Sequence, residues 1–408
     1  MNSPASMPGA LDGLRVLDAT QMLAGPLAAT RLGDLGADVI KLESPAGGEF
    51  NRTHGFDDVR FGGEMTTFLA VNRNKRSLAI DLKNPESGAV IDALVATSDV
   101  FIQNFRHGTA ERLGVGYDRL HAINPQLVYC SISGYGPHGP YRDRPGQDLI
   151  VQGYSGSMFS VGSEGDDPEP GALWAADVMT GYHAAIGILA ALRARDVIGI
   201  GQHVEIDMFS VVLDAQLQEL VTFLNARRQP VRTAEPGAHA SIPAPYGVYR
   251  TSDSWLTLAM SPLSVLGEVL DDNWLRSLTH YNDGHVHRDQ VYAHIRNKFV
   301  TKTTAEWLEL CDRHKVWAGP VYDYADIEAD PHVLATQMLV EQPGSNGTSV
   351  RTLRPPIALS ETPASIRLGA PALGADSAEI LAELGYTDEV LDRLLQSGAV
   401  EIHRPHLS

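Results

Sequence analysis

Two aspartates occupy sequence surroundings in which a carboxylate would do chemistry rather than face solvent. The first, Asp177, follows the segment ALWAA and precedes VMTG, at the start of an apolar helix. Lone carboxylates are rarely buried without a partner or a task. Two interpretations stay open from spacing alone: an N-cap aspartate, which such a position favours, and a catalytic carboxylate. The helix dipole would stabilise the charge in either case.

The second candidate, Asp148, lies in RPGQDLIVQG directly after a Pro-Gly turn. It is either a turn aspartate that caps the following segment or a site residue that orients Asp177 or an adduct on it. A carboxylate is a suitable nucleophile for acyl transfer, because it forms covalent acyl intermediates that divide one difficult step into two.

Basic residues gather around the ends of two predicted strands. These residues are Arg73, Lys75, Arg76, Lys83, Arg106 and Arg112. They are either scattered surface charges or an anion site, since open α/β sheets bind ligands at the strand ends. A ligand with several phosphate groups would require several such donors.

Other chemical motifs are missing from the sequence. We find no GxSxG nucleophile elbow and no GxxxxGK[ST] phosphate loop. The first strand–helix–strand unit ends in Glu43, as a dinucleotide-binding unit does, but its turn reads QMLAGPLAAT and lacks GxGxxG. His285 and His287 have no matching ligand frame, so we expect no metal site.

Charge and composition narrow the class of protein. The formal net charge of −18 argues against nucleic acid or an anionic membrane as the partner. No apolar run is expected to be long enough to cross a bilayer, and the first residues do not resemble a secretory signal. Cys130 and Cys311 lie in apolar surroundings and are predicted to be buried thiols, as suits a cytoplasmic protein.

Strands and helices alternate over residues 11–140. The predicted strands are LRVLDA, ADVIKLE, RSLAIDL, DVFIQNF and LVYCSISGYG, and the predicted helices between them include LAATRLGDLG and PESGAVIDALVATS. This alternation predicts βαβ units and a parallel sheet. We therefore expect an α/β protein with a Rossmann-like large domain.

The remaining sequence predicts further helices of the large domain and then a second, smaller α+β domain. VMTGYHAAIGILAALRAR is apolar nearly all round and predicts a buried helix; VVLDAQLQELVTFLNARR predicts one amphipathic helix, and GVYRT with WLTLAM a hairpin. We place the large domain at 1–225, a linker at 226–240, the small domain at 241–325, and a second linker with a C-terminal return to the large domain at 326–408.

Several blocks resemble the CaiB/BaiF class, the family III CoA-transferases. They are LDGLRVLDATQMLAGPLAATRLGDLGADVIKLESP, FLAVNRNKRSLAIDLKNPE, DVFIQNFRHGTAERLGVGYDRL, CSISGYGPHGPYRDRPGQDLIVQGYSGSM, GILAALRARDVIGIGQHVEIDMF, PYGVYRTSDSWLTLA, WAGPVYDYADIEADPHV and LGADSAEILAELGY. The similarity follows nearly the whole chain in order, and the blocks together are specific.

The resemblance implies an activity, a ligand and a fold. It implies transfer of coenzyme A from an acyl-CoA donor to a small carboxylic acid, through aspartyl mixed-anhydride and aspartyl-CoA thioester intermediates. Asp177 occupies the place of the acyl-carrying aspartate, and Asp148 that of a second site carboxylate. The implied fold is an interlocked, ring-like homodimer, a topology that would also account for the two long linkers.

The resemblance, with the basic cluster, also assigns the coenzyme A contacts. They are Leu23, Ala24, Arg76, Ile80, Asp81, Leu82, Lys83, Asn104, Phe105, Arg106, Arg112, Gln147 and Met208, with Met208 at the thioester end.

Departures from the family pattern narrow the substrate. Formyl-CoA transferases carry a glutamine where this chain has Leu23 and an arginine where it has Ser44, so formate and oxalate are not the expected acids. Racemases of the superfamily place a histidine where this chain has Gln147, and a glutamine cannot take the α-proton. An α-methylacyl-CoA racemase is therefore the alternative function, and a non-catalytic CoA-binding dimer is a third hypothesis.

Overall fold

The structure, a computed structural model, describes residues 8–344 and 347–403. Its strands are β1 (Arg15–Ala19), β2 (Asp38–Glu43), β3 (Arg60–Phe61), β4 (Glu64–Met65), β5 (Lys75–Ile80), β6 (Val100–Gln103), β7 (Val128–Ser133), β8 (His203–Asp207), β9 (Gly247–Arg250), β10 (Trp255–Leu258), β11 (Ala318–Pro320), β12 (Leu339–Pro343), β13 (Ser349–Leu353) and β14 (Val400–Glu401).

The helices alternate with the strands in the first part of the chain and follow one another in groups later. They are α1 (Ala24–Asp34), α2 (Thr66–Val71), α3 (Ser87–Ala96), α4 (Thr109–Arg112), α5 (Tyr117–Ile123), α6 (Asp148–Ser155), α7 (Ala175–Ile198), α8 (Met208–Ala215), α9 (Leu217–Ala226), α10 (Leu263–Leu270), α11 (Asn273–Ser277), α12 (Asp283–Val286), α13 (Arg288–Phe299), α14 (Thr304–Arg313), α15 (Tyr324–Ala329), α16 (Pro331–Ala335), α17 (Ser377–Glu383) and α18 (Asp388–Gln396). Short 3-10 helices span Phe50–Arg52, Phe56–Asp58 and Ser157–Ser160.

By the contacts of its described residues, the chain divides into two compact units. The first is assembled from three stretches, Met1–Val151, Trp174–Val212 and His332–Ser408. The second is assembled from Gln152–Leu173 and Leu213–Pro331.

A seven-stranded sheet forms the centre of the first unit. Its order is β14-β5-β2-β1-β6-β7-β8, and β14 alone among these strands runs antiparallel to its neighbour. The chain moves outward from β1 in one direction through β2 and β5 and in the other through β6, β7 and β8. Ligands bind such sheets where the order reverses, outside the carboxyl ends of the strands. The prediction of an α/β fold built on a largely parallel sheet is confirmed.

Both faces of this sheet are covered, as is usual for a largely parallel sheet, and most residues of its strands are buried. Alternate residues of a strand face opposite sides of the sheet. Leu17 and Phe101 join a buried cluster with α3, α5 and α17, whereas Val16 and Ile102 join a second cluster with α1 and α7. Cys130, in the second cluster, is buried and free, and so is Cys311 in the other unit, as predicted.

Helix α7 packs against α1 through small residues. A Cβ atom added at Gly181 would lie 2.7 Å from the backbone oxygen of Ala24, so only glycine allows this approach. The helix is long and apolar enough to cross a membrane, and 44% of its most apolar window is buried. The expectation that no apolar segment reaches that length was therefore wrong, although buried core helices also pass this test.

The second unit contains a three-stranded antiparallel sheet in the order β11-β10-β9. The predicted hairpin is confirmed, because β9 and β10 pair from Gly247 with Leu258 to Arg250 with Trp255. Helices α10, α13 and α14 supply much of a separate buried core. The single helix predicted from VVLDAQ to LNARR is instead two, α8 and α9, which divide at Gln216.

Candidate active site

The structure places Asp177 on the first turn of α7, as the third residue of the helix. The N-cap position belongs to Trp174, so the interpretation of Asp177 as an N-cap was wrong. Oδ1 of the buried Asp148, the first residue of α6, accepts the Asp177 backbone N–H at 3.0 Å. Asp148 thereby satisfies a donor that a helix start leaves without a helical partner. Asp148 therefore caps α7, a helix that begins 27 residues after it in sequence.

The surroundings of the Asp177 carboxylate make it harder to ionise. Burial and, to a smaller extent, the neighbouring Asp148 carboxylate raise the pKa of Asp177 to about 6, against a hydrogen bond from the Ala24 backbone that lowers it. A carboxylate whose charge is poorly stabilised is more basic and a better nucleophile than a solvated one. At neutral pH this group remains mostly ionised, so it can attack an electrophilic carbon.

The loop between β1 and α1 brings the Ala24 backbone to Asp177. Asn104 holds this loop: its Oδ1 accepts the Gln21 N–H at 2.9 Å and its Nδ2 donates to the Gln21 oxygen at 2.8 Å. Leu23 takes the N-cap position of α1, and its side chain makes no capping hydrogen bond. The backbone N–H groups at a helix start favour a negatively charged group.

A cleft of about 270 Å³ lies at the carboxyl ends of β6, β7 and β8. Asn104, Phe105 and Arg106, three of the predicted coenzyme A contacts, line it. Sequence reasoning missed a hydrogen-bonded chain in its wall: Gln103 donates to Ser131 at 2.9 Å, and Ser131 lies 2.8 Å from a ring nitrogen of His203. No local motif marks these three residues, because each comes from a different strand.

Most of the other predicted contacts follow a strand of the same sheet. Ile80 ends β5, Asp81 to Lys83 follow it, and Met208 opens α8 directly after β8. The parallel strands bring these residues to the carboxyl edge of the sheet, together with Leu23, Ala24 and Asn104. Met208 is buried in a cluster with Tyr135, Val151, Ala176 and Val212, and Ala176 adjoins Asp177. Gln147 is exposed, and its backbone oxygen accepts the Val151 N–H.

The predicted cations divide into two groups. Lys83, Arg106 and Arg112 are exposed, and within the described residues none of them lies in an ion pair. Arg76 lies near the amino end of β5, where it pairs with Asp38 at 2.6 Å and with Glu383 at 2.6 Å. The structure therefore does not bring Arg76 to the carboxyl edge, and its role in coenzyme A binding stays a prediction.

Arg73 and Lys75 are neither surface charges nor open anion ligands. Arg73 donates two hydrogen bonds of 2.8 Å to the buried Asp34. Lys75 is buried and donates to Asp18 at 2.8 Å. Burial lowers the pKa of Lys75 to about 8, and Asp18 offsets only part of this effect. Both side chains are committed inside the fold.

Lys75 belongs to a buried ion-pair layer beneath the β1–α1 loop, defined here as Asp18, Lys41, Glu43, Glu49, Arg52, Asn72 and Lys75. Arg52 donates twice to Glu43, at 2.7 Å each time. Burial alone would raise the pKa of Glu43, but the hydrogen bonds and charge of Arg52 outweigh it and lower that pKa. Glu43 therefore holds the fold together here and has no ligand-facing role. In the sequence, this layer could have been predicted from the charged residues within the otherwise apolar strands RVLDA and DVIKLE.

Within the described residues, no group of three or more His, Cys, Asp or Glu side chains is arranged to hold a metal ion.

Comparison with known proteins agrees with this geometry. The model of CoA-transferase family III matches residues 11–377. The chain is 36% identical over 388 residues to the succinate–glutarate CoA-transferase of Agrobacterium fabrum, which covers 92% of this chain and 95% of the relative. It is 37% identical over 394 residues to the beta subunit of the succinyl-CoA–L-malate CoA-transferase of Chloroflexus aurantiacus, with 94% and 96% covered.

A solved structure shares the fold. A CaiB/BaiF family protein from Brucella suis superposes with a TM-score of 0.82 at 32% identity and covers 92% of this chain and 100% of its own. The resemblance seen in the sequence blocks is confirmed. The protein is therefore an enzyme that belongs to CoA-transferase family III.

Proposed function

We propose that the protein moves coenzyme A from an acyl-CoA donor to a carboxylic acid acceptor, with Asp177 as the group that carries first the acyl group and then the coenzyme. The observation that carries this proposal is the position of Asp177, at a helix start beside Asp148 and the Ala24 backbone, with a pKa raised to about 6. Family membership supports the reaction class.

The first half of the reaction releases the donor acid. The Asp177 carboxylate attacks the thioester carbonyl carbon, the carbon–sulfur bond breaks, and the CoA thiolate leaves a mixed anhydride. The thiolate then attacks the Asp177 carbonyl carbon of that anhydride. The donor leaves as a carboxylate, and an aspartyl-CoA thioester remains.

The second half repeats these steps with the acceptor. The acceptor carboxylate attacks the aspartyl thioester, and the thiolate leaves a new mixed anhydride. The thiolate then attacks the acceptor's acyl carbon, which restores the Asp177 carboxylate and releases the new acyl-CoA. No proton is gained or lost overall. Water must be kept from both kinds of intermediate, because it would hydrolyse them.

Backbone donors and exposed cations have separate tasks in this scheme. The N–H groups at Leu23 and Ala24 stabilise the oxyanions that form at the attacked carbons. Lys83, Arg106 and Arg112, exposed at or near the carboxyl edge, bind the phosphate groups of coenzyme A. Met208 adjoins the thioester end, where its buried cluster limits the entry of water.

We infer that the substrates are succinyl-CoA and a small dicarboxylic acid. The relatives from Agrobacterium and Chloroflexus are named for succinate with glutarate and for succinyl-CoA with L-malate. Both acceptors are short dicarboxylic acids. These names support the substrate class for this chain, while the individual acceptor is left to experiment.

The test is a transfer assay in deuterated water. Wild-type protein is incubated with succinyl-CoA and, in turn, glutarate, malate, acetate and oxalate, and the new CoA thioesters are identified by mass spectrometry. We expect glutaryl-CoA or malyl-CoA from the wild type and from Asp196→Asn, a matched change on the same helix, and none from Asp177→Asn.

A parallel reaction with a branched acyl-CoA and no acceptor tests the racemase. Deuterium at the α-carbon without any transfer would establish the racemase instead, and binding without either reaction would leave a non-catalytic protein.

We also propose that the protein is a cytoplasmic homodimer whose subunits interlock. Exposed apolar side chains recur on α9 at Leu217, Val221 and Leu224, and Ile186 is exposed on α7. A stripe of this kind is typical of a protein interface. Light scattering should give twice the chain mass of 44.1 kDa. Interlocked subunits should not exchange between tagged and untagged dimers until the protein is unfolded, whereas ordinary dimers would exchange.

A further inference from the structure

The loop that brings Ala24 to Asp177 contains a residue in an unfavourable backbone conformation. Met22 has a φ of 70°, in the left-handed region that residues with a side chain rarely adopt. It lies two residues before Ala24, which packs on α7 one turn from Asp177, since a Cβ atom at Gly181 would lie 2.7 Å from the Ala24 oxygen. A hydrogen bond from the Ala24 backbone also lowers the pKa of Asp177. Such a conformation persists only where the surroundings hold it, and it is concentrated at functional sites.

Two side chains from the segment after β2 hold Met22 directly. The buried Glu49 accepts the Met22 N–H through Oε2 at 3.0 Å. Asn51 donates from Nδ2 to the Met22 oxygen at 2.6 Å. Both polar groups of the Met22 backbone are therefore fixed by side chains far from it in sequence.

The buried ion-pair layer holds the chain on both sides of Met22, in the loop before it and in the first turn of α1 after it. Lys41 donates to the Thr20 oxygen at 3.0 Å, and Lys75 donates to the Pro26 oxygen at 2.9 Å. Asn72 links the two halves of the layer, since it accepts from Lys75 at 2.8 Å and donates to Glu49 at 3.5 Å. The layer thus reaches the loop before, at and after Met22.

We propose that Glu49 and Asn51 are positioning residues, which hold Met22 in its left-handed conformation and so fix the Ala24 N–H against the Asp177 carboxylate. The inference rests on the proposed function only in that Asp177 is the acyl carrier. Neither residue touches the reacting atoms. Their loss moves a donor away from Asp177, and it leaves in place the carboxylate of Asp148, the charged group that faces Asp177.

The test compares Glu49→Ala and Asn51→Ala with the wild type. Thr53→Ala is the matched control, since it removes side-chain hydrogen bonds within the same segment, those of the Thr53 hydroxyl with the Phe50 oxygen and the His54 ring. Glu49→Gln keeps an oxygen acceptor for the Met22 N–H and is the rescue variant. Asn51 is partly exposed, so its variant should fold even where Glu49→Ala does not.

Two measurements separate positioning from a general loss of structure. The first is the pH profile of kcat/KM for transfer from succinyl-CoA. The second is the titration of the Asp177 carboxylate in ligand-free protein, from infrared difference spectra against Asp177→Asn. The hydrogen bond from Ala24 lowers the pKa of Asp177, so its loss should raise that pKa. We expect Asn51→Ala and Glu49→Ala to shift both curves to higher pH by about half a unit or more and to reduce kcat about tenfold.

Each outcome decides one of the two proposals. Normal pH profiles and carboxylate titrations in folded Asn51→Ala and Glu49→Ala would overturn the positioning role. An equal shift in Thr53→Ala would also overturn it, because the effect would then belong to the segment as a whole. If the wild type forms no new thioester but the infrared titration still shifts in the variants, the transfer proposal fails and the positioning role stands.

Discussion

The buried ion-pair layer and the pair formed by Asp148 and Asp177 are both groups of charge inside the first unit, but they are built in opposite ways. In the layer, Arg52 faces Glu43 through two hydrogen bonds, and the pKa of Glu43 is lowered. In the aspartate pair, one carboxylate faces another, and burial together with this like charge raises the pKa of Asp177 to about 6. The first arrangement matches opposite charges, and the second brings like charges together.

The difference separates residues that hold the fold from residues that do chemistry. A carboxylate that is paired with a cation has a lowered pKa, so it is less basic and a poor nucleophile. A carboxylate beside a like charge destabilises the folded protein, but it keeps the basicity that attack on a thioester requires. The cations follow the same division, because Arg76 is paired internally whereas Arg106 is exposed in the cleft.

The largest expected effect is that of Asp177→Asn. Removal of the nucleophile should lower the transfer rate by roughly 10⁴-fold. The same change should make the protein more stable, because it removes an unfavourable charge. From the raised pKa we expect a gain of about 1–3 kcal/mol in the free energy of unfolding at pH 8.

The pH dependence of that gain has a definite sign. Above the usual pKa of 3.8, the folded protein binds more protons at Asp177 than the unfolded chain, so its stability falls as pH rises towards about 6. The gain from Asp177→Asn should therefore be absent below pH 3.8 and complete above pH 6. Denaturation in urea across this range measures it. If Asp177→Asn were less stable than the wild type at pH 8, the ionised Asp177 would stabilise the fold as the ion-pair layer does, and the contrast between the two groups of charge would not hold.

The next effect concerns the layer. Arg52→Met leaves the buried Glu43 carboxylate without its cation, and we expect a loss of about 3–5 kcal/mol in the free energy of unfolding. Arg119→Met breaks an exposed pair with Asp92 and should cost less than about 1 kcal/mol. Chemical denaturation of both variants measures the difference. Equal losses would show that burial of the pair does not set its contribution.

Two arginines sharpen the comparison among the cations. Arg106→Ala should raise the KM for acyl-CoA about tenfold, since a charged hydrogen bond to phosphate is lost, and it should leave stability unchanged. Arg76→Ala should do the reverse, because it breaks the ion pairs with Asp38 and Glu383. Steady-state kinetics and thermal unfolding of both proteins check this. A raised KM in Arg76→Ala alone would move the coenzyme A site to the other end of β5.

The smallest effect is on the acid limb of the pH profile. In the wild type, kcat/KM should rise as Asp177 ionises, with a midpoint at about pH 6. Asp148→Asn keeps an oxygen for the Asp177 N–H but removes the like charge. The midpoint should therefore move to lower pH but stay above the usual aspartate pKa of 3.8, because burial, the larger cause of the raised pKa, remains. An unmoved midpoint would show that Asp148 does not influence the ionisation of Asp177.

Sequence reasoning located the sheet because its signal is local. The segments LRVLDA and ADVIKLE predicted strands that the structure places at Arg15–Ala19 and Asp38–Glu43. Alternation of apolar segments with helices was enough to predict the parallel sheet. The predicted helix from VVLDAQ to LNARR failed because its apolar pattern continues across Gln216, where the chain nonetheless breaks into two helices.

The partners of charged residues could not be predicted in this way. Arg73 looked like a surface charge or an anion ligand, but its partner Asp34 lies 39 positions earlier and meets it only in the fold. Asp148 looked like a cap for its own segment, but the sequence did not show that it also caps α7 at Asp177, 29 positions later. Residue type and spacing therefore identified Asp177 and Asp148 as candidates, and the fold supplied their geometry.

The most direct test of the central claim is the mass of Asp177 after reaction with substrate. Wild type, Asp177→Asn and Asp196→Asn are mixed with succinyl-CoA, trapped with hydroxylamine or borohydride, digested and analysed by mass spectrometry. We expect a substrate-dependent modification on Asp177 in the wild type and in Asp196→Asn, and none in Asp177→Asn. A modification on another residue, or transfer that persists in Asp177→Asn without any adduct, would contradict it.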